Sequence, residues 1–161
     1  MSTGGGEPPR WLRAVFRAPN WLYRHELGWL LGRRFLCLAH RGRGSNRQYV
    51  TVLEVLAHDT ASRRFTVLSA FGPGADWLRN LDAGGPAEIV VGRERFAADY
   101  RRLEPDEATS VLDDYERRNR WIAPVLRSAL SWVSGWRYDS SLAARRRLVE
   151  QLPVIVFFPR E

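Results

Sequence analysis

Residues 35–56, FLCLAHRGRGSNRQYVTVLEVL, decide the fold. Two apolar runs, Phe35-Leu36-Cys37-Leu38-Ala39 and Tyr49-Val50-Thr51-Val52-Leu53-Glu54-Val55-Leu56, flank the loop His40-Arg41-Gly42-Arg43-Gly44-Ser45-Asn46-Arg47. β-Branched and aromatic runs interrupted by glycine, serine and asparagine read as strand, turn, strand. A glycine-rich arginine loop between strands offers backbone N–H groups and guanidinium forks to an anion. Its first reading is a candidate phosphate or cofactor cradle. His40, which opens it, is either a general base or a structural loop histidine. Glu54 lies in an apolar strand and needs a partner if buried, for which Arg41 or Arg47 is in reach of the reading.

Outward from this hairpin, the same punctuation predicts strands over 34–40, 48–58, 63–70, 86–92 and 94–103. A short helix over 75–82 interrupts them after the turn Gly72-Pro73-Gly74, with Trp77, Leu78 and Leu81 on one face. Pro105 opens a longer helix carrying Asp106 and Glu107 in its first turn and Arg117-Arg118 in its last, the polarity that the helix macrodipole favours. Ile122, Val125, Leu126, Ala129, Leu130 and Val133 mark a second trailing helix ending near Gly135, and 143–150 a third. Pro153-Val154-Ile155-Val156-Phe157-Phe158 reads as a buried strand returning to the sheet. Runs more continuous than alternating suit strands covered on both faces, as in a small closed barrel.

On the other side of the hairpin, 1–9 is a Gly/Pro tail without the apolar core of a secretory signal. Residues 10–32 are aromatic and basic, with Trp11, Leu12, Val15 and Phe16 on one helical face. Such a helix either packs on the domain or a partner subunit, or lies in a membrane interface. The expected organisation is therefore a disordered tail over 1–9 and one domain over 10–161.

Composition narrows the classes. The 161 residues suit one domain, and 45% apolar with 12% aromatic residues excludes general disorder. The net charge is +7, and its cationic side is all arginine, for the chain has no lysine. Arginine matches carboxylate and phosphate as a planar fork. Cys37 is the sole cysteine, which excludes disulfide frameworks and cysteine metal clusters and leaves a core thiol. His25, His40 and His58 have no metal-ligand spacing, so no metal is expected. Walker, G-x-S-x-G, H-E-x-x-H and C-x-x-C patterns are absent. No run reaches the roughly 20 apolar residues of a membrane span, so a cytoplasmic protein is expected, with peripheral membrane contact through 10–32 left open.

The stretches 40–55 (HRGRGSNRQYVTVLEV), 69–81 (SAFGPGADWLRNL) and 112–153 (LDDYERRNRWIAPVLRSALSWVSGWRYDSSLAARRRLVEQLP) resemble the deazaflavin-dependent nitroreductase family. The similarity runs from about residue 24 onward, and Ala75-Asp76-Trp77 with Arg79-Asn80-Leu81 is its most specific part. The resemblance implies an α+β split β-barrel, here with an N-terminal amphipathic helix and trailing helices. It also implies binding of the deazaflavin F420 and hydride transfer to quinones, nitro compounds or enones. Carried over by position, the cofactor-binding candidates are Arg41, Arg43, Ser45, Thr51, Ala75, Asp76 and Trp77, with the ring beside Ser69-Ala70.

The chain departs from the family at these same places. Gly44 stands where the family has lysine or arginine, and Asn46 where it has glycine. Tyr49-Val50 replaces a common arginine, Pro73-Gly74 a basic turn residue, and Leu78 a tyrosine. Each lost charge-assisted phosphate contact costs roughly 1.5–3 kcal/mol. Coordinated losses around one ligand argue for a changed ligand.

Two enzymatic readings follow. In the first, no cofactor is used. The former F420 cleft, walled by Phe71, Leu78, Trp121 and Trp132 with Tyr49 and Trp77, holds an apolar polyketide- or polyene-like intermediate. It promotes isomerisation or cyclisation, with a 4+2 closure among the candidates, and Tyr49, Ser69 or Asn46 polarises a carbonyl. The alternative is an F420H2-dependent reductase with an altered grip. A third, non-catalytic reading uses the basic surface as a binding module. Nucleic acid is not expected as a partner, and a homodimer is left open.

Overall fold

The computed structural model describes residues 33–161. The predicted helix within 10–32 and the tail over 1–9 lie outside the described residues. Six strands, β1 (Phe35–Arg41), β2 (Gln48–Asp59), β3 (Arg64–Leu68), β4 (Ala87–Val91), β5 (Glu94–Arg102) and β6 (Val154–Pro159), close into an antiparallel barrel in the order β1-β2-β3-β6-β5-β4. Helix α1 (Asp76–Asp82) separates β3 from β4, and α2 (Pro105–Arg118), α3 (Ala123–Ser134) and α4 (Leu142–Gln151) lie between β5 and β6. The chain is an α+β split barrel.

Two apolar clusters explain the unbroken strand patterns. Leu36, Leu38, Leu53, Val55, Phe65, Val67, Ile89, Ile155 and Phe157 fill the barrel, joined by Trp77, Leu78 and Leu81 of α1. Leu56, Leu112, Tyr115, Leu148 and Val154 belong to a second cluster between the barrel wall and α2 and α4. Strand β6 thus sends Ile155 and Phe157 inward and Val154 outward into the second core, so both parities must be apolar. On β2 the register shifts between Val55 and Ala57, and this bulge lets consecutive residues Val55 and Leu56 serve different cores.

The helices end where local chemistry ends them. Pro105 sits in the first turn of α2, Gly135 closes α3 at a left-handed φ of 80°, and Ser141 caps α4 by accepting from the Ala144 N–H at 3.1 Å. Cys37 is buried on β1, and burial pushes its thiol up to about 11, as befits an unreactive core residue.

The predicted Glu54 partners are corrected. Register pairs Phe35 with Glu54 and Arg41 with Gln48, so Arg41 and Arg47 lie at the far end of the hairpin. Glu54 instead accepts from the Tyr115 hydroxyl and faces Arg34 at 3.5 Å. Among the described residues, no helix is long and apolar enough to cross a membrane, and no group of three or more His, Cys, Asp or Glu is placed to hold a metal ion.

Candidate functional site

The loop between β1 and β2 is shaped by its own backbone. Gly42 donates to the Arg47 carbonyl at 2.8 Å, and Asn46 donates back to the Gly42 carbonyl at 2.9 Å. Asn46 turns the chain at a φ of 54°, a left-handed conformation that asparagine tolerates. A Cβ on Gly42 would lie 2.5 Å from Ser45 Oγ and 2.9 Å from the Tyr49 ring, so any larger residue here would push both exposed side chains aside. Ser45 Oγ in turn lies 3.3 Å from the Tyr49 hydroxyl.

This loop, the outer end of β2, the turn before α1 and α1 itself enclose a cleft of about 890 Å³. Its walls bring together Arg43, Ser45, Tyr49, Thr51, Phe71, Ala75, Asp76 and Trp77 of the predicted residues. Tyr49 (45% exposed) and Phe71 (74% exposed) stand at its mouth, whereas Trp77 is buried and tilts against Phe157 with ring centres 6.2 Å apart. Such exposed aromatic area around a concave site is what an apolar ligand would cover.

Other predicted residues lie elsewhere. Leu78 is fully buried inside the barrel rather than in the cleft wall. Ser69 is also fully buried, and its hydroxyl donates to the Gly72 carbonyl at 2.7 Å, which spends it on the turn. Arg41 donates to the Asn46 carbonyl at 3.2 Å, so both residues brace the loop outside the cleft wall. Trp121 is 73% exposed on the 3₁₀ turn Arg120–Ile122, and Trp132 lines a separate hollow with Phe71, Pro73 and Leu152.

Two further residues complete the cleft: His40, left open in the sequence between general base and structural loop histidine, and Asn80, to which no site role was given. His40 and Asn80 are both buried and line the cleft. Asn80 Oδ1 accepts from the Arg43 backbone N–H at 3.1 Å and from Arg43 Nη1 at 2.8 Å. Asn80 Nδ2 lies 3.0 Å from His40 Nδ1, and His40 Nε2 lies 3.0 Å from Thr51 Oγ1. The Tyr49 ring stacks over His40 with centres 5.9 Å apart. The available signal was Asn80 itself, a polar residue three positions after Trp77 on the apolar side of α1, where burial demands a partner.

Burial holds the His40 pKa below its ordinary 6.5, and the Asp76 carboxylate offsets this only in part. The groups facing it are Asn80, Thr51 and Tyr49, with Arg43 beyond Asn80. Unfolded chains bind this proton near 6.5 and folded ones only at lower pH, so the unfolded state holds more protons in that window. The contribution is fully present above 6.5 and is lost as pH falls through the folded value. Urea unfolding at about pH 7.5 and pH 5.5 is expected to show a midpoint loss on acidification that is smaller in His40→Gln.

Among the described residues, Arg43 and Asp76 are the charged side chains of the cleft wall, and Arg43 Nη2 lies 3.3 Å from Asp76 Oδ1. With Nη1 on Asn80, the guanidinium is engaged on two sides before any ligand arrives.

No protein-family model matches the chain, and no curated protein matches it. Solved structures that it resembles include an F420-H2 dependent reductase, 15% identical, over 78% of this chain and 95% of that one with a TM-score of 0.45. A pyridoxamine 5′-phosphate oxidase-related, FMN binding protein from Nostoc punctiforme is 17% identical, over 95% of this chain and 82% of that one, with a TM-score of 0.46. A domain-swapped dimer is 15% identical, over 86% of this chain and 98% of that one, with a TM-score of 0.44. At such identities and TM-scores these likenesses carry no argument about activity, and the site must be read from its own residues.

Proposed function

We propose that the cleft binds a neutral, largely apolar, carbonyl-bearing small molecule and promotes its isomerisation or cyclisation without a bound cofactor. A polyketide- or polyene-like intermediate is the substrate class, and a 4+2 cycloaddition is one such closure. The observation that carries this reading is the commitment of Arg43 to Asn80 and Asp76, which leaves no uncommitted cation among the described residues of the cleft wall.

The residues present do not fit a phosphate-bearing deazaflavin or flavin. Gly44 and Gly74 face the cleft with no side chain to grip an anion, and Asp76 adds a carboxylate at the same rim. A phosphate there would have to displace an existing ion pair or face a negative charge. A neutral polyene meets neither obstacle and covers Tyr49, Phe71 and the cleft edge of Trp77.

The chemistry then needs no oxidant or reductant, because isomerisation and cyclisation only rearrange bonds within the substrate. Confinement of a flexible chain in a reactive conformation supplies several kcal/mol through lost rotational freedom alone. Tyr49 and Thr51 offer hydroxyl groups to a substrate carbonyl, and withdrawal of electron density from an enone speeds both rearrangement and cycloaddition. A second reading is the F420H2-dependent reductase, in which a ligand phosphate would draw Arg43 from its exposed partner Asp76, 3.3 Å away.

Intrinsic tryptophan fluorescence separates the two. The neutral enone β-ionone is expected to bind in the micromolar range, and F420 to leave the signal unchanged up to about a tenth of a millimolar. Micromolar F420 binding together with F420H2-driven reduction of menadione would overturn the proposal in favour of the reductase.

A further inference from the structure

We infer that Thr51 is a directed hydrogen-bond donor, set by a buried Arg43–Asn80–His40 relay, and that the cleft's ligand places a carbonyl oxygen on Thr51 Oγ1. The ligand class rests on the neutral-ligand reading above; the proton direction does not.

The relay begins at a residue that can only donate. Arg43 presents its backbone N–H and its Nη1 to the same Asn80 oxygen, at 3.1 and 2.8 Å. Because arginine carries no acceptor, the Asn80 amide has one orientation, with its NH₂ toward His40. Asn80 Nδ2 therefore donates to His40 Nδ1 across 3.0 Å, and Nδ1 must be the bare nitrogen. A neutral imidazole bare at Nδ1 carries its proton on Nε2. Nε2–H then donates to Thr51 Oγ1 across 3.0 Å.

A hydroxyl that accepts from His40 must aim its own hydrogen elsewhere. Thr51 is half-buried with its side chain on the cleft, and among the described residues Oγ1 has no second partner. The free direction is the cleft. His40 and Asn80 are each 4% exposed, so water does not compete for the relay and the orientation is retained when a ligand enters. Protonation of His40 would set an N–H against the Asn80 NH₂, so the imidazolium is disfavoured by geometry as well as burial. The device fits an acceptor on the ligand, and its value grows as an enone or quinone oxygen gains negative charge.

Two measurements test it. A long-range ¹H–¹⁵N spectrum of the wild type near neutral pH is expected to show His40 neutral with its proton on Nε2. Infrared difference spectra of carbonyl-¹³C β-ionone are expected to show a C=O band moved to lower frequency in the wild type and in Thr51→Ser, and unmoved in Thr51→Val. Thr51→Val is expected to weaken β-ionone between about twofold and tenfold, the worth of one neutral hydrogen bond. A His40 proton on Nδ1, or the same carbonyl band in wild type and Thr51→Val, would overturn the donor assignment. Failure of β-ionone to bind while His40 carries its proton on Nε2 would overturn the ligand class and leave the relay standing.

Discussion

The double variant Gly44→Lys plus Gly74→Arg is expected to bind the deazaflavin F420 about one to three decades more tightly than the wild type. Both glycines line the cleft, and a Cβ built on either meets nothing within 4 Å, so neither substitution crowds its surroundings. Each new cation offers a charge-assisted contact worth roughly 1.5–3 kcal/mol, less about 0.5–1.5 kcal/mol for immobilising a long side chain. At the middle of both ranges two such additions net about 2.5 kcal/mol, nearly two decades in affinity. Fluorescence titration with F420 measures it, and half or more of the gain is expected to vanish at about 0.5 M salt because the rim is exposed. An unchanged affinity would mean that the missing cations are not what separates this cleft from a cofactor site.

Phe157→Ala is expected to destabilise the protein by about 3–5 kcal/mol, while Phe71→Ala stays within about 0.5 kcal/mol. Phe157 is fully buried where β6 meets β5 and β3, and its ring lies 6.2 Å from Trp77 and 6.4 Å from Tyr100. Its removal leaves a cavity beneath the α1 tryptophan, so the cleft floor loosens with the core. A domain of this size is stable by about 5–15 kcal/mol, so the loss is roughly a fifth of the whole or more. Urea denaturation reads both values, and β-ionone titration is expected to show the converse for Phe71→Ala, whose ring is 74% exposed at the cleft mouth. A Phe157→Ala cost below about 1 kcal/mol would show that the barrel interior repacks around the void.

The strands were legible because chain punctuation and apolar runs agree. Gly42 through Asn46 cannot continue a strand, and Val154 through Phe157 must be buried on both sides. The bulge at Val55 to Ala57 was not legible, since Leu56 is apolar whichever core receives it. Helical periodicity placed Leu78 and Trp77 together on the apolar face of α1, yet it could not say that one faces the barrel interior alone and the other also reaches the cleft. The same ambiguity put Trp121 and Trp132 beside the ligand, because aromatic character marks contact surface without naming which surface.

Polar pairing was the least legible layer. His40 and Asn80 are 40 positions apart, and nothing local in either strand or helix announces their hydrogen bond. Glu54 finds Arg34 through the β1–β2 register and Tyr115 through the packing of α2, whereas Arg41 and Arg47 were nearer in sequence only. The loop itself reads differently once its bonds are counted. Its arginines are rich in number, but Arg41 braces the turn and Arg43 anchors Asn80 and Asp76.

The central claim, that this cleft is built for a neutral carbonyl ligand rather than a polyanion, is tested most directly by amide shift mapping. In ¹H–¹⁵N spectra, β-ionone is predicted to shift residues 40–51 and 71–80 to the same extent at about 0.05 and 0.5 M salt. Saturable shifts of those same amides by micromolar F420, weakening steeply with salt, would contradict it.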